Sequence, residues 1–135
     1  MDCVFCKIIC KEIPSDIIFE DDKVMAFMDI RPVSRGHALV VPKEHKADIV
    51  ETDDDVISDT VLEAKKIAAA IQHALHADGF TISTNRGEAA GQTVFHLHFH
   101  IIPRYRRDGL TAWPHQDTTP ETRSQIAAEI KKQLL

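Results

Sequence analysis

Three histidines stand at alternate positions in Val94-Phe95-His96-Leu97-His98-Phe99-His100-Ile101-Ile102. On an extended chain successive side chains point to opposite faces, so His96, His98 and His100 share one face at a spacing of about 6.5 to 7 Å. Phe95, Leu97, Phe99 and Ile101 share the other, which reads as a core face. Three imidazoles in a row bring six ring nitrogens that need partners, a burden a plain core avoids. Two chemistries suit such a face. H-x-H can supply two ligands to a catalytic metal. Alternatively, one imidazole acts as a nucleophile while its neighbours orient it and handle protons, work suited to a group titrating near pH 6.5.

The residues entering this segment favour the nucleophile. Asn85 and Gly87, followed by Gly91-Gln92-Thr93, form a small polar loop. A loop of this composition offers backbone N–H groups and short polar side chains to phosphate oxygens. A second group with chemical potential is Cys3-Val-Phe-Cys6. The chain has three cysteines, an odd number, so C-x-x-C points to a metal or redox pair in a reducing compartment and not to a disulfide framework.

The elements that position these groups can be read from periodicity. Val4, Phe5, Ile8 and Ile9 recur at helical spacing within residues 3–11, and Pro14-Ser15 ends that helix. Ile17–Glu20 and Val24–Met28 read as strands joined by an acidic turn at Asp21-Asp22. His37–Pro42 reads as a short buried strand. Asp53, Asp54 and Asp55 suit the start of a long helix that runs to about Ala77 and stops at Gly79. Its inward stripe is Val61, Ala64, Ile67, Ala68, Ile71 and Leu75. Phe80–Asn85 is a strand, Thr93–Pro103 the longest strand, and Pro120–Leu135 a last amphipathic helix. The pattern predicts an α+β domain: an antiparallel sheet of about five strands with two main helices, plus a C-terminal helix.

At 135 residues the chain makes one domain, 1–135, with a core over about 3–105 and a C-terminal extension over about 106–135. The 16 basic and 21 acidic residues give a net charge of −5, which argues against a nucleic-acid partner. No apolar run approaches the roughly 20 residues of a membrane span, and the N-terminal residues lack a secretory pattern, so a cytoplasmic protein with no membrane partner is expected. His73 and His76 are expected to face solvent, and Cys10 to be a free, half-buried thiol.

Gly91-Gln-Thr-Val94 followed by H-x-H-x-H with apolar residues between the histidines resembles the histidine triad (HIT) superfamily. Cys3-Val-Phe-Cys6-Lys-Ile-Ile9, Ile13-Pro14, Glu20-Asp-Asp22, Ala26-Phe-Met-Asp-Ile30, Gly36-His37 and Val41-Pro-Lys43 are similar to its nucleotide-binding Hint branch. The resemblance implies a HIT-like fold and cleavage at the α-phosphate of a nucleotide through a nucleotidyl-histidine intermediate. By this resemblance His98 is the nucleophile and His100 hydrogen-bonds near the phosphate and leaving group. His37 supports them from across the sheet. Gln92 and Thr93 contact the leaving-group oxygen and the phosphate, Thr93 standing where the family usually has serine, and Asn85 adds a polar contact. Asp29 accepts the ribose hydroxyls, and Phe5, Ile8, Phe27, Ile30 and Leu39 wall the base.

Cys3, Cys6, His45 and His96 match the zinc ligands of bacterial relatives, which implies one structural zinc per chain and none for catalysis. The resemblance also implies a homodimer acting on purine nucleoside phosphoramidates or related adenylyl compounds. A dinucleoside polyphosphate hydrolase and a nucleotide-sensing module with residual catalysis are the alternatives. Trp113-Pro114 stands near a Trp-Pro pair of the relatives, but at a different spacing.

Overall fold

The computed structural model describes residues 2–134; Met1 and the expected helix end at Leu135 lie outside them. The chain runs α1 (Val4–Ile9), β1 (Ile17–Glu20), β2 (Val24–Met28), β3 (Ala38–Pro42), α2 (Asp54–Leu75), β4 (Gly79–Ser83), β5 (Phe99–Arg104) and α3 (Pro120–Gln133). The strands form one antiparallel sheet of five, in the order β1-β2-β3-β5-β4. This is the expected α+β architecture. No helix among the described residues is long and apolar enough to cross a membrane.

Each strand sorts its side chains by the two-residue period. Val24, Ala26, Ala38, Val40, Phe99 and Ile101 pack with Ala64, Ile67 and Ala68 of α2. Their alternates Met25, Phe27, Leu39 and Val41 pack with Phe5 and Ile8 of α1 on the opposite face. The sheet is therefore covered on both sides at its centre, and β3 is buried at every position. His100 lies opposite Leu39 in the β3–β5 register, on the α1 face. The β1–β2 turn forms because the Asp21 carboxylate accepts from the N–H groups of Lys23 (2.8 Å) and Val24 (2.7 Å).

Six expectations about these elements are corrected. The strand expected over Thr93–Pro103 is confined to Phe99–Arg104. Its partner β3 pairs only through Ala38–Val40, and the Leu97 N–H instead donates to the Lys46 carbonyl beyond β3 (2.8 Å). Phe95 accordingly leaves the core face and is 50% exposed, whereas Leu97, Phe99 and Ile101 keep their expected places. Helix α2 ends at Leu75, where His76 takes a left-handed conformation (φ 54°). Gly79 therefore opens β4, which ends at Ser83 and not at Asn85. Within α2 the buried stripe passes through Thr60, whose hydroxyl donates to the Val56 carbonyl (2.7 Å), while Val61 turns outward. His73 and His76 are exposed as expected, but Cys10 is exposed, not half-buried.

Helix α3 forms at the expected place, but residues 111–134 are exposed throughout, so its apolar residues cover nothing within this chain. The extension is pinned at its root, where Asp108 accepts from Arg104 Nε (2.7 Å) and from the N–H groups of Tyr105 and Leu110.

One glycine is indispensable to the layer packing. Gly36 has φ +94° and faces the end of α2; a Cβ there would strike Leu75 Cδ1 and sit 3.1 Å from Pro103 Cγ. Gly36→Ala combines left-handed strain with overpacking and is expected to lower stability by about 3 kcal/mol. Urea unfolding followed by circular dichroism measures this. Gly79, which has open space around it, is the control and tolerates alanine with a much smaller loss.

Candidate functional site

His98 lies just before β5 and is 8% exposed. Its Nδ1–H donates to the carbonyl of His96 (2.7 Å). A carbonyl only accepts, so the ring proton is on Nδ1 and the lone pair is on Nε2. The His98 carbonyl is held by the Thr84 hydroxyl (2.8 Å), and Phe5 packs edge-on against the ring at 5.0 Å between centroids. Backbone and ring are thereby both fixed with a nucleophilic nitrogen left free.

A second chain of ring contacts runs beside it. The Val33 N–H donates to His37 Nδ1 (3.1 Å), so in the neutral ring the proton is on Nε2. That Nε2–H lies 3.0 Å from His100 Nδ1 and 3.4 Å from Asp29 Oδ2. His100 therefore accepts at Nδ1 and carries its own proton on Nε2. The His98 and His100 rings lie 4.9 Å apart, so a free lone pair and a free N–H donor sit side by side. Burial is the main influence on all three rings and favours their neutral forms. It holds His37 and His98 below the usual imidazole range and lowers His100 to about 4, against an opposing pull from the Asp29 carboxylate.

That burial sets a pH dependence of folding. His37 and His100 stay neutral in the fold, while in the unfolded chain each protonates near pH 6.5. Their penalty is absent above about pH 6.5 and grows as pH falls toward about 4. Urea midpoints are expected to fall steadily from pH 7 to pH 4.5, and the His37→Gln variant is expected to fall less steeply.

The His98 and His100 rings open onto a cleft of about 330 Å³, with His37 buried behind them. His98, His100, Asp29 and Thr93 line it, together with Phe5, Ile8, Phe27, Ile30 and Leu39. The apolar walls come from α1, β2 and β3, so the cleft is the unfilled end of the α1-face cluster. Ile30 lines the rim and is 89% exposed. Arg31, Pro14 and Val94 also line the cleft and were not assigned to it from sequence; only Arg31 has a type that could have signalled it, by its permanent positive charge.

Gln92 and Asn85 are placed differently. Gln92 is buried and its amide is spent on backbone: Oε1 accepts from Gly87 N–H (2.9 Å), and Nε2 donates to Ala47 (2.7 Å) and Val94 (3.1 Å) carbonyls. Neither it nor Asn85 lines the cleft. The loop they belong to also uses its own N–H groups: those of Ala90 and Gln92 donate to the Gly87 carbonyl, and that of Gly91 to Glu88. The expected backbone cradle for phosphate is thus not offered by residues 90–92; the loop is a brace that presents Thr93.

Behind His98 lies the second constellation. Cys3, Cys6, His45 and His96 each offer one ligand atom, all within 4.8 Å of one another. His96 Nδ1 is 3.4 Å from Cys3 Sγ, 3.6 Å from Cys6 Sγ and 3.0 Å from His45 Nδ1, and Cys6 Sγ is 3.3 Å from His45 Nδ1. A tetrahedral zinc with bonds near 2.3 Å to sulfur and 2.05 Å to nitrogen has N–S edges of about 3.6 Å and an N–N edge of about 3.3 Å. The tautomer fits as well: His96 Nε2–H donates to the Pro42 carbonyl (2.8 Å), leaving the Nδ1 lone pair aimed at the other three ligands. These residues could hold a metal ion. Asp29, His37 and His100 also converge, but there the Val33 N–H places a proton on the inward-facing His37 Nε2. That group is built around a proton, not a metal.

The comparisons with known proteins agree with this geometry. A HIT domain family model matches residues 10–107. An adenosine 5'-monophosphoramidase of Saccharomyces cerevisiae is 38% identical, with 98% of this chain and 82% of that protein covered. The crystal structure of a Streptococcus mutans protein, 41% identical, superposes with a TM-score of 0.93 over 99% of this chain and 86% of its own. A zinc-bound histidine triad protein of Mycobacterium smegmatis is 38% identical, with a TM-score of 0.79 over 96% of this chain and 98% of its own. With the fold, the histidine face and the match over residues 10–107 in agreement, this chain belongs to the HIT domain family.

Proposed function

We propose that this protein hydrolyses purine nucleoside phosphoramidates or related adenylyl compounds at the α-phosphate, through a nucleotidyl intermediate on His98. The observation that carries the reading is the fixed tautomer of His98, whose Nδ1–H is held by the His96 carbonyl so that Nε2 is a free nucleophile beside the cleft. The yeast relative named as a phosphoramidase supports the substrate class.

The base lies between Phe5, Ile8, Phe27, Ile30 and Leu39, and the ribose hydroxyls reach Asp29. The Thr93 hydroxyl and His100 Nε2–H hold phosphate oxygens. The His98 Nε2 lone pair attacks phosphorus, the bond from phosphorus to the leaving nitrogen breaks, and that nitrogen takes a proton from solvent at the His100 side of the cleft and departs as ammonia. Water then attacks phosphorus opposite the P–Nε2 bond and gives up a proton to solvent, balancing the one taken by the ammonia; the bond breaks to return neutral His98 and release a nucleoside monophosphate. Gln92 contributes by bracing the loop that carries Thr93.

In the same reading Cys3, Cys6, His45 and His96 hold one structural zinc. Burial, and then Cys3, push the Cys6 thiol up to about 11, so ion capture displaces protons from the thiols. The zinc ties α1 to the segment that leads into His98, and no catalytic step uses it. The protein works as a cytoplasmic homodimer, with its three free cysteines in keeping with a reducing compartment.

Incubation with adenosine 5'-phosphoramidate is expected to release AMP and ammonia. A chelator is expected to stop this only as fast as the fold loosens. Tight AMP binding with no hydrolysis of phosphoramidate, adenylyl sulfate or diadenosine polyphosphate would replace the enzyme by a nucleotide-binding module.

A further inference from the structure

The carboxylate of Asp29 has two neighbours inside the protein before any sugar arrives. One oxygen accepts from the Arg31 N–H (2.8 Å), and the other lies 3.4 Å from His37 Nε2. His37 is nearly fully buried, and its far nitrogen is held by the Val33 N–H. The ring is thus held at both ends: its Nε2–H donates to His100 Nδ1, and the Asp29 carboxylate lies beside the same nitrogen as a charge contact at 3.4 Å. His100 owes its tautomer to that proton, because only a protonated His37 Nε2 obliges His100 to accept at Nδ1 and to expose Nε2–H; a carboxylate 3.4 Å from that nitrogen disfavours a lone pair there.

We infer that Asp29 is a positioning residue for the reaction: alongside the Val33 N–H, its charge keeps the His37 proton on Nε2 and so holds the His100 imidazole as an Nε2–H donor at the cleft. The inference rests on the proposed function for its consequence in catalysis and extends the role of Asp29 beyond the sugar. It also explains why a carboxylate suits this position better than an amide. Both oxygens of Asp29 face N–H groups, so an asparagine must turn its own NH₂ against either Arg31 N–H or His37 Nε2–H. Either arrangement sets donor against donor, and both remove the negative charge beside His37 Nε2 that favours its proton there. A misplaced donor costs rate even though every reacting atom is still present.

The test separates this role from sugar binding by using a substrate that lacks the hydroxyls. Adenosine and 2',3'-dideoxyadenosine 5'-phosphoramidates are compared on the wild type and on Asp29→Asn, Asp29→Ala, His37→Gln and the Asp29→Asn/His37→Gln double variant. With the dideoxy substrate, Asp29→Asn is expected to lower kcat about tenfold or more while KM changes less than about twofold. The double variant is expected to be no slower than His37→Gln alone, because both changes act through one ring. In parallel, the ring nitrogens of ¹⁵N-histidine-labelled protein are read by NMR at neutral pH, without substrate. Wild-type His100 is expected as a single Nε2–H tautomer, and Asp29→Asn as a mixture.

Equal kcat of wild type and Asp29→Asn on the dideoxy substrate, or an unchanged His100 tautomer in Asp29→Asn, would overturn the inference. Absence of turnover of either substrate by wild type would remove the proposed function instead. In that case the NMR result alone decides whether Asp29 positions His100.

Discussion

His98→Ala is expected to lower turnover of adenosine 5'-phosphoramidate by at least about 10³-fold, with little change in melting temperature. The size follows from the role: a nucleophile that forms a covalent intermediate has no substitute, and what remains is catalysis by positioning and charge alone. The small stability change follows from the surroundings. His98 donates one hydrogen bond, to the His96 carbonyl, and its ring lines a cleft that water can enter. By contrast, His100→Gln keeps the nucleophile and loses only a donor, so a smaller loss of about 10² in kcat is expected. Steady-state kinetics with matched thermal melts measure both. A His98→Ala protein that stays folded and turns over at the wild-type rate would remove the covalent route.

The second large effect is on the fold, through the metal. Cys6→Ser is expected to reduce bound zinc from one per chain to nearly none and to lower the melting temperature by about 10 °C or more. An ion that binds the folded chain at 1,000 times its dissociation constant contributes about 4 kcal/mol, and in a domain of this length each kcal/mol moves the midpoint by a few degrees. The site joins parts far apart in sequence: Cys3 and Cys6 at the first helix, His45 after β3, and His96 on the approach to His98. Losing the ion therefore loosens the wall that Phe5 makes against His98. Residual activity at low temperature is expected to stay within about tenfold of wild type, since no step passes through the metal. Elemental analysis, melting curves and kinetics together check this. Immediate, complete loss of activity on chelation, with the fold intact, would move the metal into the chemistry.

Much of this architecture was legible in the sequence because the sheet is sorted so cleanly. The alternation through Val24–Met28, Ala38–Pro42 and Phe99–Arg104 carries directly into two core clusters on opposite faces. The histidine face was legible for the same reason, and the C-x-x-C pair converges with His45 and His96 as expected. The errors fall where long-range partners decide. Residues 93–98 have extended-chain composition, but no neighbouring strand runs alongside all of them, so Phe95 swings out. Helix α2 stops at His76 because that residue takes the left-handed conformation usually left to glycine. The groups that set the tautomers of His98, His96 and His37 are the His96 and Pro42 carbonyls and the Val33 N–H. These are backbone atoms, to which residue type gives no clue. Gln92 illustrates the converse. Its type suggests a contact with substrate, yet its buried amide is consumed in bracing the loop.

The most direct test of the central claim is intact-protein mass spectrometry, sampled within milliseconds of mixing with adenosine 5'-phosphoramidate and kept out of acid, where the phosphorus–nitrogen bond to histidine is labile. Wild type is expected to carry a transient adenylyl adduct that rises and decays as AMP appears, while His98→Ala, mixed in parallel, stays unmodified. AMP released by wild type with no adduct at any mixing time, or an adduct that persists in His98→Ala, would contradict a nucleotidyl intermediate on His98.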